Sequence, residues 1–244
     1  MSMRDRNAWL KGGHSQCNER PASPLRRVRF VLLGAPGVGK GTQADLLARY
    51  FGACHLSTGD IFRAARAMNG SASRALQAAL EFMKRGDLVP DETVLALVAE
   101  RIGCLRCQGG FLLDGFPRTV AQAEALDVLL AGHQLQLDAA VSYELPLNKI
   151  VARLAGRRTC SACKKVYHLD QVGESEACVN CGGKLIQRED DRPESIRVRM
   201  KAFRQAAQPL AAYYESRHLL VSVPAEGAPE AVLQRTLDSL RIHS

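Results

Sequence analysis

A mostly apolar run, Val28 to Leu33, passes without a spacer into Gly34-Ala-Pro-Gly-Val-Gly-Lys-Gly-Thr42. A buried strand that opens into a glycine turn and then a helix is a narrow specification for a fold. Small residues let backbone N–H groups converge on phosphate oxygens, the helix that follows presents its positive end, and Lys40 supplies a mobile cation. Gly34, Gly39 and Lys40 hold the glycine and lysine positions of a phosphate-binding loop. Gly41 stands where the general pattern has a hydroxyl residue, and Thr42 comes one place later. The competing reading, a glycine turn beside an ordinary surface lysine, leaves the strand before it and the helix after it unexplained.

The rest of the chain alternates in the same way. Helical pattern is expected from about Gly39 to Tyr50, a turn at Ser57-Thr-Gly-Asp60, and helices beyond it, over 73 to 85 and from Pro90 to about Ile102. Phe111 to Leu113 is a short strand ending at Asp114, Thr119 to Ala131 is helical, and Ala139 to Leu145 is a further strand. A helix to Ala155, a polar cysteine-rich insert, a long helix from Pro193 to Arg217, a strand at Leu219 to Val223 and a last helix from Pro229 to Arg241 complete it. Short apolar strands alternating with longer helices predict an α/β fold with a largely parallel sheet covered on both faces.

Charge excludes one class of function. The 244 residues carry a formal +8, and residues 1 to 29 hold seven basic and two acidic side chains, so the body accounts for only +3. A polynucleotide binder concentrates basic residues on one face or helix, and the body does not; no nucleic-acid partner is expected. No apolar run approaches the 18 or so residues that span a bilayer, so no membrane partner is expected either. Residues 1–26 have the composition of a flexible basic extension, with organellar targeting as the alternative to a cytoplasmic location.

Six of the eight cysteines form three Cys-x-x-Cys pairs, at Cys104/Cys107, Cys160/Cys163 and Cys178/Cys181. The last two pairs are fourteen residues apart, a spacing at which two turns can bring four sulfurs around one tetrahedral zinc. Disulfides and unengaged thiols are the alternatives. The first pair supplies half a site with no partner pair; a structural or inert role is expected for it, with redox sensitivity or a weak metal site as the alternatives.

Four stretches in order carry a resemblance: Gly34-Ala-Pro-Gly-Val-Gly-Lys-Gly-Thr-Gln43, Ser57-Thr-Gly-Asp-Ile-Phe-Arg63, Gly110-Phe-Leu-Leu-Asp-Gly-Phe-Pro-Arg-Thr119 and Gln187-Arg-Glu-Asp-Asp191. Together they resemble the adenylate kinase family, in its long form with a four-cysteine zinc-type lid, over about Arg27 to Ser239. The resemblance implies a P-loop nucleoside monophosphate kinase fold. Residues 27–57, 88–156 and 193–244 would form the core, 58–87 an AMP-binding helical arm and 157–192 a zinc-bearing lid. It implies reversible, Mg2+-dependent phosphoryl transfer, ATP + AMP = 2 ADP, by a monomer. The alternatives are a GTP:AMP phosphotransferase or related kinase and, in a different class, a nucleotide-responsive RNA-binding regulator.

Residue roles follow from the resemblance. Lys40, Asp114, Arg118, Arg157, Arg188 and Arg199 would be catalytic, with Asp114 orienting Mg2+ and its waters. ATP would meet Gly34, Pro36, Gly37, Val38, Gly39, Lys40, Gly41 and Thr42, together with Arg153, Arg157, Tyr167 and His168. AMP would meet Thr58, Gly59, Arg63, Asp87, Leu88, Val89, Gly115, Arg118, Gln122, Arg188 and Arg199. Asp190 and Asp191 would orient the arginines, and Cys160, Cys163, Cys178 and Cys181 would hold zinc. The segment between the cysteine pairs is shorter than the family's usual one and lacks its Pro-Pro-Lys stretch, so the lid tip is where a departure in geometry is expected.

Overall fold

The computed structural model describes residues 27–65, 74–85, 89–100, 109–173 and 175–242. Five parallel strands form the centre, in the order β2-β3-β1-β4-β8. They are β1 (Val28–Gly34), β2 (Cys54–Ser57), β3 (Gly110–Asp114), β4 (Ala139–Glu144) and β8 (Leu220–Pro224). The helices of this layer are α1 (Lys40–Phe51), α2 (Thr58–Ala65), α3 (Arg74–Arg85), α4 (Asp91–Ala99), α5 (Val120–Gly132), α6 (Leu147–Gly156), α8 (Pro193–Glu215) and α9 (Pro229–Ile242).

Side-chain alternation explains why β1 must be covered twice. Val28, Phe30 and Leu32 join Leu47 and Phe51 of α1 and Val232 and Leu237 of α9 in one core. Val31 and Leu33 join Val94 and Val98 of α4, Leu126 and Leu130 of α5, and Leu210 and Tyr214 of α8 in another. Both faces of the strand are apolar because neither reaches water, as parallel sheets require.

Strand β2 corrects the sequence-based expectation, which placed only helices and a break between the first strand and the one at Phe111. It is an edge strand of four residues, too short and too polar (Cys-His-Leu-Ser) for alternation to reveal. Its pairing with β3 sets Ser57 beside Asp114 and so carries the chain to the sheet's carboxyl edge before α2 begins.

Chain direction at that edge locates the site. From β1 the chain leaves toward β2, whereas from β3 it crosses to β4 on the other side of β1. The loops after these two neighbouring strands therefore diverge, which opens a crevice where ligands bind in doubly wound sheets. Leu32 of β1 is in register with Asp114 of β3, so the glycine loop and that carboxylate flank the crevice.

A second sheet of three antiparallel strands, β6-β5-β7, lies between α6 and α8 in the chain. It comprises β5 (Arg157–Cys160), β6 (Val166–His168) and β7 (Leu185–Ile186), with a four-residue helix α7 (Leu169–Val172) after β6 and a 3-10 turn at Glu189–Asp191. The short helix α7 lies within the shortened segment between the cysteine pairs.

Candidate functional site

Left-handed glycines shape the loop after β1. Gly34 sits at φ 129°, and a Cβ there would come within 2.5 Å of the Tyr143 carbonyl oxygen. At Gly37, φ 83°, a Cβ would fall 2.5 Å from Leu154 Cγ of α6, so the loop packs against the β4 backbone at Gly34 and against that helix at Gly37 only because both positions lack side chains. Pro36 lies within this turn, and Val38 is buried beneath it. Gly39 caps α1 at φ 112°. Lys40 Nζ donates to the carbonyls of Gly34 at 2.6 Å and Ala35 at 3.0 Å. Gly41 faces the Asp114 carboxylate, and Thr42 on the next turn position is exposed.

Electrostatics tie this loop to distant parts of the chain. Burial draws the Lys40 amine down to about 8; Asp114 resists, while Arg118, Arg199 and Arg157 add to the fall. Those four side chains, from β3, the loop before α5, α8 and the start of β5, therefore lie within electrostatic reach of Lys40. Burial works against charge on Asp114, but the His55 ring and Lys40 outweigh it and hold the carboxyl below the usual range. Asp114 is thus an ionised oxygen donor at the crevice, the chemistry that suits a hard divalent cation and its waters.

His55 is the residue that sequence reasoning missed. Its Nδ1 meets Asp45 of α1 at 3.0 Å and its Nε2 stands 3.5 Å from Asp114. Burial opposes a charge on the ring, yet the two carboxylates prevail and raise it to about 9. The signal was available only in part: once Cys54–Ser57 is recognised as a strand, His55 must lie on the same face as Ser57, beside Asp114.

Two carboxylates organise the arginines. Asp191, fully buried, accepts from Arg157 Nε at 2.6 Å and again from its Nη2, while Arg199 Nη1 approaches it at 3.5 Å. Arg199 Nη1 also donates to the Asp190 carbonyl at 2.8 Å and pairs with its carboxylate at 3.0 Å. Arg188 Nε donates to Thr159 Oγ1 of β5 at 2.8 Å, which places it on the three-stranded sheet. Arg153 ties the loop to the end of β8, donating to the carbonyls of Val38 and Ala225.

Beyond Asp114 the chain forms a second set of groups. Thr58 Oγ1 donates to the Gly115 carbonyl at 3.0 Å, and Gly115 is left-handed with no room for a Cβ beside that hydroxyl. Gly59 follows Thr58 in α2, and Val89 packs partly buried against α2 and α3. Arg118 Nε donates to the Gly115 carbonyl, and its backbone N–H donates to Gln122 Oε1. The side chain of Arg63 and residues Asp87 and Leu88 lie outside the described residues, as do Cys104 and Cys107.

The sulfurs of Cys160, Cys163, Cys178 and Cys181 all lie within 4.8 Å of one another, with Cys160–Cys181 at 3.5 Å and Cys163–Cys178 at 3.6 Å. A regular tetrahedron with metal–sulfur bonds of about 2.3 Å has edges of about 3.8 Å, so this tetrad fits one ion. The Tyr167 hydroxyl is hydrogen-bonded to Cys178 Sγ at 3.1 Å. Burial opposes charge on Cys178, but that hydroxyl and backbone N–H groups draw its thiol down to about 6. Despite a hydrogen bond from the Gly183 backbone, hydrogen bonding to the sulfurs of Cys160, Cys163 and Cys178, together with burial, pushes the Cys181 thiol up to about 11. His168 is no part of the tetrad: its Nδ1 pairs with Asp170, and its ring packs where a Gly156 side chain would stand.

A glycine loop, an ionised strand-end carboxylate and converging guanidinium groups, set where β1 and β3 part, define a P-loop phosphotransferase of the nucleoside monophosphate kinase class. Residues 32–219 match the family described as adenylate kinase. The chain is 43% identical over 207 residues to the adenylate kinase of Thermodesulfovibrio yellowstonii, covering 84% of this chain and 95% of the relative. It is 44% identical over 218 residues to that of Syntrophomonas wolfei, covering 87% and 100%, and 44% identical over 216 residues to that of Acidothermus cellulolyticus, covering 88% and 98%. The chain belongs to the adenylate kinase family. Among the described residues, no helix is long and apolar enough to cross a membrane.

Proposed function

We propose that this protein transfers the terminal phosphoryl group of ATP to AMP, reversibly, giving two ADP. The observation that carries the proposal is the gathering of Lys40, Arg118, Arg157 and Arg199 around the glycine loop beside an ionised Asp114. A phosphate oxygen of AMP is already an ionised nucleophile, so no general base is needed. It attacks the γ-phosphorus in line, the bond to the β-phosphate bridging oxygen breaks, and that oxygen leaves as part of ADP. Charge spreads over the transferred oxygens during the step, and fixed guanidinium forks neutralise it. In this reading the loop from Gly34 to Thr42 holds the donor phosphates, Arg153, Tyr167 and His168 flank the donor nucleoside, and Arg188 joins the clamp as the three-stranded sheet closes. Thr58, Gly59, Arg63, Val89, Gly115, Arg118 and Gln122 would hold AMP.

Asp114 would hold Mg2+ through its waters, and the ion would supply charge neutralisation on the donor phosphates. Cys160, Cys163, Cys178 and Cys181 would hold zinc, which stabilises a sheet too polar and too small to fold by burial alone. Residues 58–87 and 157–192 are read as the acceptor arm and the lid, whose closure excludes water that would otherwise compete with AMP. All of these groups come from one chain, so a monomer suffices, and the paired thiols suit a reducing compartment such as the cytoplasm.

The test is a matrix: purified protein with Mg2+ and ATP or GTP against AMP, UMP, CMP or GMP, with both products quantified. ADP alone, from ATP and AMP, is the expected dominant outcome. Failure of that pair to yield ADP while another pair reacts would overturn the proposal.

A further inference from the structure

Gln122 on the first turn of α5 is held at both ends of its amide. Its Oε1 accepts from the Arg118 backbone N–H at 2.7 Å, and its Nε2 donates to Asp91 Oδ1 at 2.5 Å. The other carboxylate oxygen, Asp91 Oδ2, accepts from Thr119 Oγ1 at 3.0 Å, while Thr119 caps α5 by accepting from the Gln122 backbone N–H. The amide orientation is therefore set by partner chemistry. A backbone N–H is only a donor and an ionised carboxylate only an acceptor, so the reversed amide would oppose N–H to N–H on one side and oxygen to carboxylate on the other. Gln122 is 6% exposed, where such mismatches are costly.

Among the described residues, each end of the amide keeps one valence: a second lone pair on Oε1 and a second hydrogen on Nε2. Side by side they match a base edge on which an amino group adjoins an unprotonated ring nitrogen. A 6-oxopurine, with a carbonyl beside a ring N–H, needs the opposite order. We infer that Asp91 is a specificity-determining residue: by fixing the Gln122 amide through Nε2, it makes the acceptor site take a 6-aminopurine and refuse a 6-oxopurine. Asp91 is a positioning residue here, since it acts through Gln122. The inference rests on the reading that Gln122 faces the acceptor base. The placement of Asp91 supports it, because the residue opens α4 while Gln122 opens α5, and the carboxylate locks the two helix starts together.

The substitution Asp91→Asn keeps shape but presents either an acceptor or a donor to Gln122, which removes one of the two constraints against a reversed amide. Steady-state kinetics with ATP and either AMP or IMP isolate the effect, since IMP differs from AMP only at the amino group and the adjoining ring nitrogen. The expected result is a fall of about tenfold or more in the AMP-to-IMP ratio of kcat/KM. It should be carried mainly by a lower KM for IMP and a higher KM for AMP, with kcat for AMP changed less. Asp91→Glu, which restores an ionised acceptor, should recover part of the preference. A merely structural role at the start of α4 would lower the melting temperature and weaken both substrates alike. An unchanged ratio in Asp91→Asn, or a wild-type protein that uses AMP and IMP equally well, overturns the inference. A wild-type protein that makes no ADP from ATP and AMP at all fails the proposed function instead.

Discussion

His55 makes the stability of the magnesium- and nucleotide-free protein depend on pH with a definite sign. The ring is raised from an ordinary 6.5 to about 9 in the folded state by Asp114 and Asp45 against the cost of burial. A group held above its unfolded value contributes fully below about pH 6.5 and loses that contribution as pH rises through about 9. At 1.36 kcal/mol per pH unit, the whole contribution is on the order of 3 kcal/mol, of which about 2 kcal/mol remains at pH 7.5. The wild-type curve alone does not isolate this. Lys40 is lowered to about 8, so its contribution has the opposite sign and recovers as pH rises from about 8 to its unfolded value. The comparison is therefore between wild type and His55→Gln, by urea denaturation at pH 6, 7.5 and 9.5 in zinc-loaded protein without Mg2+. The difference in unfolding free energy should shrink by about 2 to 3 kcal/mol between the extremes. The contact to Asp114 is long, at 3.5 Å, and that to Asp45 reaches a half-exposed carboxylate at 3.0 Å. A difference that stays constant across the range would show that the ring holds its proton no more tightly in the folded chain than in the unfolded one, so that the two carboxylates add nothing to its binding.

Four further outcomes are expected. Cys178→Ser should lower zinc content and the melting temperature of the lid, whereas Tyr167→Phe should keep one zinc per chain but release it to a chromogenic chelator about tenfold faster; unchanged stoichiometry in the first or an unchanged rate in the second refutes the corresponding assignment. Asp191→Asn should cost about 3 kcal/mol or more in urea unfolding, because it leaves the Arg157 and Arg199 charges without their shared buried partner, and a loss under about 1 kcal/mol would mean that water already screens the pair. Gly37→Ala places a Cβ against Leu154 at a left-handed position, so it should destabilise by about 1 to 3 kcal/mol and weaken ATP binding by calorimetry; wild-type values for both would refute the packing argument.

What could be read along the chain was what is determined within it. The strand–glycine–lysine–helix succession needs no other segment to make sense, and the parallel sheet follows from strands that are apolar on both faces, as the paired cores at Val28/Phe30/Leu32 and Val31/Leu33 bear out. The cysteine tetrad was legible for a similar reason, since each Cys-x-x-Cys turn sets two sulfurs by local geometry and the short sheet brings the turns together. Strand β2 was hidden because four edge residues carry too little alternation, and with it went His55, whose chemistry depends on a β3 partner reached across the sheet.

The amide of Gln122 shows why site detail lies deeper still. As a residue type it offers a donor and an acceptor with no preferred order, and resemblance alone places it near a base. Which edge of a base it can read is decided by Arg118 four residues before it and Asp91 on another helix, through bonds at 2.7 and 2.5 Å. Neither contact is conspicuous in the sequence: Arg118 makes its bond to Gln122 through the backbone alone, and Asp91 reads as an ordinary acidic residue in the first turn of a helix. Specificity in such a site is a property of how a side chain is held, so it becomes visible only when the groups that hold it are in place.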